Sequence, residues 1–232
     1  TAREIARSLI PKAILREYSN ITMLPDEIFR QRHDIYFDTC PCQPWSRAND
    51  NCIGYRDTRA AALLASQALF RRLKEVNPAI KLIAENVKPH DRLAGDVKKM
   101  EHSWGVQAAH INAKDWGSAS SRPRHLFCNF VAVEELPALQ PAPAAWVLGA
   151  SYYASKNVIP CIVASQDTHN PPTKTRTDSH RSERLSPDDS DAAQGWPPGL
   201  SQGNQARPLE LSDTTRIKIM GNAINAAFLY AI

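Results

Sequence analysis

Four short clusters in this sequence carry side chains that could do chemistry together. In chain order they are Pro41–Ser46, Glu85–Val87, Arg122–Arg124 and Gly221–Ala223. A thiolate can attack an electrophilic heterocycle while a carboxylic acid protonates or hydrogen-bonds a ring nitrogen and a guanidinium holds an exocyclic oxygen. The clusters therefore indicate nucleophilic catalysis by Cys42 with the help of Glu85 and nearby arginines.

The first two clusters follow segments that are typical of β-strands. The segment Asp34–Cys40 is rich in aromatic and β-forming residues and runs into a turn-prone Pro-Cys-Gln-Pro stretch. The segment Ile80–Val87 is an almost continuous apolar run, as a buried parallel strand would be, and Arg124–Val131 repeats that pattern. Open α/β sheets place their ligands at the carboxyl ends of strands. We therefore expect Cys42 and Glu85 to lie at one such edge.

Helical spacing appears between and after these strands. Apolar residues recur at helical spacing over Arg59–Val76, with Asp57 as N-cap and Asn77-Pro78 as the stop. A second helical stripe covers Thr214–Ile232 and faces a core. The alternation of strands and helices predicts an α/β sheet.

The chain changes character near residue 131. Ten of its 17 prolines fall between residues 131 and 210, and Leu185 is the one large apolar residue between 165 and 191. Such a stretch cannot pack a core of its own. We predict a main catalytic domain over 1–130, a small loop-rich region over 131–184, and a return to the catalytic domain over 185–232.

Composition excludes several classes of protein. Twenty-eight Lys and Arg against 24 Asp and Glu give a net charge of +4, too slight for a polybasic protein but compatible with a local groove for an anion. Five cysteines are an odd number, which favours reduced thiols over a secreted disulfide framework. No apolar run approaches the roughly 18 residues of a membrane span. We expect an intracellular protein without membrane contact.

In their order and spacing, the four clusters resemble the cytosine-5 DNA methyltransferase family. That family carries a Pro-Cys-Gln loop, a Glu-Asn-Val strand end, a Gln-x-Arg-x-Arg strand start and a late Gly-Asn helix in this order. The resemblance covers roughly residues 2–130 and 183–232. It implies a Rossmann-like α/β sheet that uses S-adenosylmethionine, together with a small target-recognition domain.

The resemblance implies a role for each catalytic candidate. Cys42 would add to carbon 6 of a cytosine flipped out of double-stranded DNA, so that carbon 5 can take the methyl group. Glu85 would contact ring nitrogen 3 and the exocyclic amine. Arg124, with Arg122 beside it, would hold the carbonyl oxygen and brace the loop.

Further residues receive binding roles from the same resemblance. The cofactor-binding candidates are Asp26, Pro41, Asn222 and Ala223. The DNA-binding candidates are Gln43 and Ser46. No metal is expected in such a site.

Two departures from the family pattern bear on these expectations. Ser120 stands where the first Gln of Gln-x-Arg-x-Arg is usual. The nine glycines form no Gly-x-Gly, although the family grips its cofactor with a glycine-rich turn near the start. In the family, that turn is followed by a strand whose acidic end binds the cofactor ribose, and the opening residues here read as the helix just after that acidic position. We therefore expect an N-terminally incomplete sheet, with the missing segment upstream in the same protein or supplied by a second chain.

Alternatives stay open at this stage. The chain could be a non-catalytic, DNA-binding or regulatory relative, or a methyltransferase of tRNA, although the Cys-Phe-Thr signature of that branch is absent. A eukaryotic member would work in the nucleus, and a bacterial or phage member in the cytoplasm or nucleoid. Two tryptophans, Trp146 and Trp196, are interpreted as core residues. The cations Lys174, Arg176, Arg181 and Arg184 could contact phosphates or lie in a solvated loop.

Overall fold

A computed structural model describes residues 4, 7–8, 18, 20–47, 49–154, 158–161, 173–203, 209–222 and 225–231. The chain forms two compact units. We call them the large-sheet unit (Arg16–Ile111 and Pro123–Leu136) and the small-sheet unit (Thr1–Leu15, Asn112–Arg122 and Pro137–Ile232). Residues 1–3, 5–6 and 9–15 of the predicted opening helix lie outside the described residues.

The large-sheet unit is built on a mixed four-stranded sheet. Its strands are β1 (Ile35–Asp38), β2 (Lys81–Val87), β3 (Ala108–Asn112) and β4 (Pro123–Cys128), in the spatial order β1-β2-β4-β3. Strands β1 and β2 are parallel, and their carboxyl ends lie side by side because Asp38 pairs with Ala84. The strand predicted over Arg124–Val131 is wrong in direction and length, since β4 is antiparallel to β2 and ends at Cys128.

Three helices accompany this sheet. They are α1 (Asp26–Arg30), α2 (Ala61–Val76) and α3 (Ala94–Trp104). The predicted N-cap is present, because the Asp57 carboxylate accepts the backbone N–H of Arg59 at 2.9 Å. A short 3₁₀ turn over Thr58–Ala60 precedes α2. The long helix is thus confirmed, with its α-helical part starting two residues later than predicted.

The core of this unit joins the helices to the sheet. Aromatic rings meet in it: the ring centroids of Tyr36 and Phe70 are 5.5 Å apart, and those of Phe70 and Trp104 are 5.8 Å apart. Edge-to-face and tilted ring pairs of this kind add to the free energy of apolar burial. The buried members of the cluster are Trp45, Ala60, Leu63, Phe70, Leu73, Ile80, Leu82, Ala84, Met100, Trp104 and Phe127.

Within residues 137–231 as far as the structure describes them, the small-sheet unit contains a three-stranded antiparallel sheet and four α-helices. The strands, in spatial order, are β5 (Tyr152–Tyr153), β6 (Thr173–Arg176) and β7 (Ser182–Arg184). The helices are α4 (Ala144–Leu148), α5 (Pro187–Ala193), α6 (Asp213–Asn222) and α7 (Ala226–Ala231). The single helix predicted over Thr214–Ile232 is therefore two helices.

Polar side chains hold this second unit together. A capping box starts α5, since Ser186 and Asp189 each accept the other's backbone N–H. The buried Asp191 accepts the backbone N–H of Gly199 at 2.9 Å and the Ser201 hydroxyl at 3.0 Å, and Arg216 pairs with it at 3.4 Å. Buried carboxylates are stable only when hydrogen-bonded and paired in this manner. Across the described parts of the chain, every helix is too short or too polar to cross a membrane.

Candidate active site

Cys42 lies in a tight turn directly after β1. Its carbonyl oxygen accepts the backbone N–H groups of Trp45 at 3.0 Å and Ser46 at 2.9 Å, which closes the turn. The proline and turn-forming residues around it cannot extend the strand, so the chain leaves the sheet here. The Cys42 side chain is half-buried, and all five cysteines are reduced thiols. We call the segment 41–57 the thiol loop.

Trp45 anchors the thiol loop to the rest of the unit. Its indole is fully buried and donates a 3.0 Å hydrogen bond from Nε1 to Asp96 Oδ2 on α3. The same oxygen accepts the backbone N–H of Tyr55 at 3.2 Å. At Gly54, where φ is +60°, a Cβ atom would lie 1.9 Å from this oxygen, so the loop needs glycine there.

Two arginines connect the thiol loop to the segment that follows β2. Arg47 donates from Nε to the carbonyl oxygen of Pro89 at 3.3 Å and forms an ion pair with Asp91. In the opposite direction, Arg92 donates to the carbonyl oxygen of Cys52 at 2.9 Å. Both halves of the thiol loop therefore form polar contacts with the segment that follows β2.

Glu85 lies near the carboxyl end of β2 and faces Arg124 of β4. The two side chains form an ion pair between Glu85 Oε1 and Arg124 Nε, and they are only 10% and 9% exposed. Antiparallel pairing explains the contact, because Glu85 is opposite Leu126 and Arg124 projects to the same face two residues away. The guanidinium compensates a carboxylate that burial alone would destabilise.

The parallel pairing of β1 and β2 brings these groups to one edge of the sheet. Strand β1 ends at Asp38, four residues before Cys42, and Glu85 follows the residue paired with Asp38. Cys42 and Glu85 therefore lie at the carboxyl ends of neighbouring parallel strands, as predicted, and Arg124 of the antiparallel β4 lies beside Glu85. Arg122 belongs to the small-sheet unit, where it is buried and its N–H donates to Asn112 Oδ1 at 2.7 Å.

A hydrogen-bonded network that sequence reasoning missed lies at the end of β1. Asp38 Oδ1 accepts the Cys40 thiol at 3.0 Å and the Ser66 hydroxyl at 2.8 Å. The Tyr36 and Ser66 hydroxyl oxygens are 2.6 Å apart. Burial raises the pKa of Asp38, and the Glu85 carboxylate adds to the rise, while the two hydrogen bonds oppose it. The sequence signal for this network is Ser66, a polar residue on the buried face of α2.

The predicted cofactor residues are divided between the two units, with Asp26 and Pro41 in the large-sheet unit and Asn222 and Ala223 in the small-sheet unit. Asp26 is exposed on α1, with its carboxylate 3.5 Å from Arg72, and Pro41 is exposed at the start of the thiol loop. Asn222 is the last residue of α6, its side chain is not described, and Ala223 lies outside the described residues. The fit of S-adenosylmethionine to these four residues is thus not demonstrated, and their role stays a prediction.

The predicted DNA contacts, Gln43 and Ser46, lie on the thiol loop. Gln43 is exposed, and its carbonyl oxygen accepts the Asn49 amide at 3.0 Å. Beside the loop is a cleft of about 460 Å³, whose lining includes Arg56, Arg92 and Ile53. Arg56 is exposed there and has no ion-pair partner among the described residues. The lining also includes the carboxylate of Asp50, so the cleft carries charges of both signs.

Ser120, the departure in the arginine cluster, is buried in the small-sheet unit. Its hydroxyl lies 3.2 Å from that of Ser118, and the Asn225 amide donates to Ser118 at 3.0 Å and to Ser120 at 3.4 Å. The serine pair thus fastens the chain before Arg122 to the asparagine just before α7. We assign Ser120 a structural role.

The four cations that were predicted to contact phosphates differ in whether they form ion pairs within the small-sheet unit. Lys174 forms an ion pair with Asp189 at 2.8 Å, and Arg176 forms one with Asp178 at 2.7 Å. Arg181 and Arg184 are exposed and face no carboxylate within ion-pair distance among the described residues.

One of the two tryptophan interpretations is wrong. Trp146 is 79% exposed, because the five-residue helix α4 buries Ala144 and Leu148 and turns the indole outward. Trp196 is half-buried. An exposed indole can stack on a nucleic-acid base.

Metal chemistry has no candidate ligand set in the described ranges. No group of three or more His, Cys, Asp or Glu side chains is arranged to hold an ion there. The expectation of a metal-free site stays a prediction.

Comparisons with known proteins address the fold. No family sequence profile matches this chain, and no characterised protein matches it by sequence. By structure it is similar to the Entamoeba histolytica methyltransferase EhMeth, with a TM-score of 0.67 and 15% identity over 99% of this chain and 84% of that one.

Two further solved structures are similar to this chain. A mutant of Spodoptera frugiperda DNMT2 gives a TM-score of 0.66 and 13% identity over 98% of this chain and 86% of that one. A candidate DNA modification methyltransferase from an E. coli prophage gives 0.59 and 13% identity over 97% and 85%. The chain therefore has the Rossmann-like methyltransferase fold, and the family resemblance is confirmed at the level of fold.

Proposed function

We propose that this protein is a cytosine-5 methyltransferase that acts on DNA. The observation that carries the proposal is the common edge formed by the parallel ends of β1 and β2, where Cys42 follows β1 and Glu85, with its partner Arg124, lies near the end of β2. A thiol, a buried carboxyl group and a guanidinium are what addition to a cytosine ring requires. The fold supports the proposal, since its structural neighbours are methyltransferases.

In the proposed reaction, Cys42 supplies the nucleophile. Its thiolate forms a bond to carbon 6 of the flipped cytosine, and the electron pair of the 5,6 double bond becomes available at carbon 5. When bound, S-adenosylmethionine supplies the methyl group that carbon 5 takes. Loss of the carbon-5 proton and expulsion of the Cys42 thiolate then restore the ring.

Glu85 and Arg124 would stabilise the ring during attack. Negative charge develops on the ring when the thiolate adds, and a carboxyl group at ring nitrogen 3 relieves it by donating a hydrogen bond or proton. The ion pair with Arg124 fixes the orientation of the Glu85 carboxyl group. The Arg124 guanidinium has further N–H groups that could donate to the carbonyl oxygen of the cytosine. Both groups are pre-positioned on strands, which avoids reorganisation during the reaction.

The proposal is tested by trapping a covalent adduct. DNA that contains 5-fluorocytosine is incubated with the protein and S-adenosylmethionine. Fluorine at carbon 5 blocks the final elimination, so the bond to sulfur persists and the complex survives denaturing electrophoresis. Cys42→Ser should abolish the adduct, whereas Cys128→Ser, which changes a buried thiol on β4, should retain it.

The same experiment separates the alternatives. An adduct that peptide mass spectrometry maps to Cys40 or Cys52 would overturn the role of Cys42. An adduct with fluorinated RNA but not DNA would replace the substrate with RNA. Binding of DNA without any adduct to either nucleic acid would support the non-catalytic alternative and overturn the proposal.

A further inference from the structure

The two thiols of the Cys40-Pro41-Cys42 segment differ in their surroundings. The Cys40 thiol donates a 3.0 Å hydrogen bond to Asp38 Oδ1, on the last residue of β1. Ser66, fully buried on α2, donates to the same oxygen at 2.8 Å. Tyr36 supports Ser66 by donating to its carbonyl oxygen at 3.1 Å. The carboxylate is thereby held in one orientation from two elements.

The Asp38 carboxylate faces Cys40 at hydrogen-bond distance, and its charge disfavours a thiolate there. Tyr36 faces the network from the same strand as a neutral phenol, because burial raises its pKa. Glu85 from β2 raises the pKa of Asp38, and its own charge is paired with Arg124 of β4. The Ser66 hydroxyl acts in the opposite direction, since its hydrogen bond lowers the pKa of the Cys40 thiol. Burial and then the Asp38 carboxylate raise the pKa of the Cys40 thiol, and the hydrogen bond that this thiol donates to Asp38 acts in the same direction. A Cys40 thiolate would face the carboxylate oxygen and lose that hydrogen bond.

We propose that Asp38 is a positioning residue that keeps Cys40 as a neutral, hydrogen-bond-donating thiol, so that Cys42 is the thiol of this segment that ionises and attacks. Two thiols separated by one proline would otherwise compete for the same electrophile. The inference rests on the proposed function for the role of Cys42, and it adds a residue that decides which thiol reacts.

The experiment measures alkylation at each thiol in the native protein. Iodoacetamide reacts with the thiolate and releases iodide, and peptide mass spectrometry gives separate rates for Cys40 and Cys42. Rates are taken at several pH values around the ordinary thiol pKa of about 8.5. Neither nucleic acid nor S-adenosylmethionine is needed. We expect the Cys40 rate to rise at a pH at least about one unit higher than the Cys42 rate, a roughly tenfold difference at intermediate pH.

Asp38→Asn tests the cause. The amide keeps the shape and one acceptor oxygen but removes the charge, so the Cys40 rate should increase about tenfold or more. Asp34→Asn is the matched control, because Asp34 is an exposed carboxylate just before the same strand, and both rates should stay at wild-type values. Circular dichroism establishes that each variant is folded.

Two results would overturn the proposal. One is a wild-type protein in which both thiols begin to react at the same pH, which decides the matter even if Asp38→Asn does not fold. The other is a folded Asp38→Asn variant whose Cys40 rate is unchanged. The outcome is independent of the adduct test: the alkylation pattern can hold when no fluorocytosine adduct forms, in which case the proposed function alone fails.

Discussion

The indole of Trp45 and the carboxylate of Asp96 connect the thiol loop to helix α3 through a 3.0 Å hydrogen bond. The bond is buried, and it lies three residues from Cys42 along the chain. A hydrogen bond in this position orients the turn because the indole cannot rotate without leaving its donor unpaired. The loop that carries the nucleophile candidate thus depends on a residue more than fifty positions away in the sequence.

Asp96→Ala should therefore destabilise the protein by about 1–3 kcal/mol, the cost of leaving a buried donor without an acceptor. Urea denaturation followed by tryptophan fluorescence measures the change. Lys99→Ala is the control, since Lys99 contacts the same carboxylate at 3.0 Å but is 65% exposed, and it should cost less than about 1 kcal/mol. Equal losses in the two variants would show that the indole contact does not orient the loop.

Substitutions at the ion pair of Glu85 and Arg124 should show its contribution to stability separately from its role in catalysis. Arg124→Met leaves the buried carboxylate without its cation, so the free energy of unfolding should fall by about 3–5 kcal/mol. Arg72→Met, which removes the partner of the exposed Asp26, should change it by less than about 1 kcal/mol. In the double variant Glu85→Gln with Arg124→Met, much of the lost stability should return because no buried charge is left unpaired.

Glu85→Gln alone should slow methyl transfer strongly while DNA affinity stays close to wild type, since the interaction strengthens mainly in the transition state. Single-turnover rates and fluorescence anisotropy measure the two quantities on one preparation. A variant with the wild-type rate would contradict the assigned role of Glu85.

The sequence was sufficient to predict that Cys42 follows β1 and that Glu85 lies near the carboxyl end of β2. Cys42, Glu85 and Arg124 stand in short motifs next to strands, so local pattern indicates both their type and their edge of the sheet. The direction of β4 was predicted wrongly because a strand buried on both faces has the same apolar pattern in either orientation. The Asp38 and Cys40 contact could not be predicted, since it depends on Ser66 from a different element.

The exposure of Trp146 illustrates a second limit of the sequence. An aromatic residue among alanines and aliphatic residues is usually buried. Helix α4 has only five residues and one buried side, formed by Ala144 and Leu148. Which side of so short a helix is buried depends on tertiary packing, which local pattern does not contain.

His125 should make stability depend on pH. It stacks near His110 with ring centroids 5.2 Å apart, and burial first, then the positive charges of His110 and Lys88, lowers the pKa of His125 from 6.5 to about 4. Between those two values the unfolded chain binds a proton that the folded protein does not bind, so acidification favours unfolding. Above pH 6.5 neither state binds it, and this contribution vanishes.

His125→Gln should reduce the loss of stability between neutral pH and about pH 4, by roughly 1 kcal/mol after allowance for solvent access to the half-buried ring. Urea denaturation at several pH values gives the difference between variant and wild type, in which the carboxylates that titrate in both proteins cancel. His102→Gln, at an exposed position on α3, should follow the wild-type curve. Parallel curves for His125→Gln and wild type would rule out this source of acid sensitivity.

The cations of the small-sheet unit should differ in their contribution to DNA binding. Arg181 and Arg184 face no carboxylate among the described residues, whereas Arg176 is held by Asp178. Each phosphate that a cation neutralises releases a condensed counterion, so the slope of log affinity against log salt should fall by about 0.9 per lost contact. Replacing both Arg181 and Arg184 by Ala should reduce the slope by roughly 1.8 and weaken binding in the same way for different DNA sequences.

Arg32→Ala, at an exposed arginine paired with Asp34 in the large-sheet unit, is the control and should leave the slope unchanged. Anisotropy titrations at several salt concentrations measure both variants, and an unchanged slope in the double variant would exclude this surface from the DNA contact.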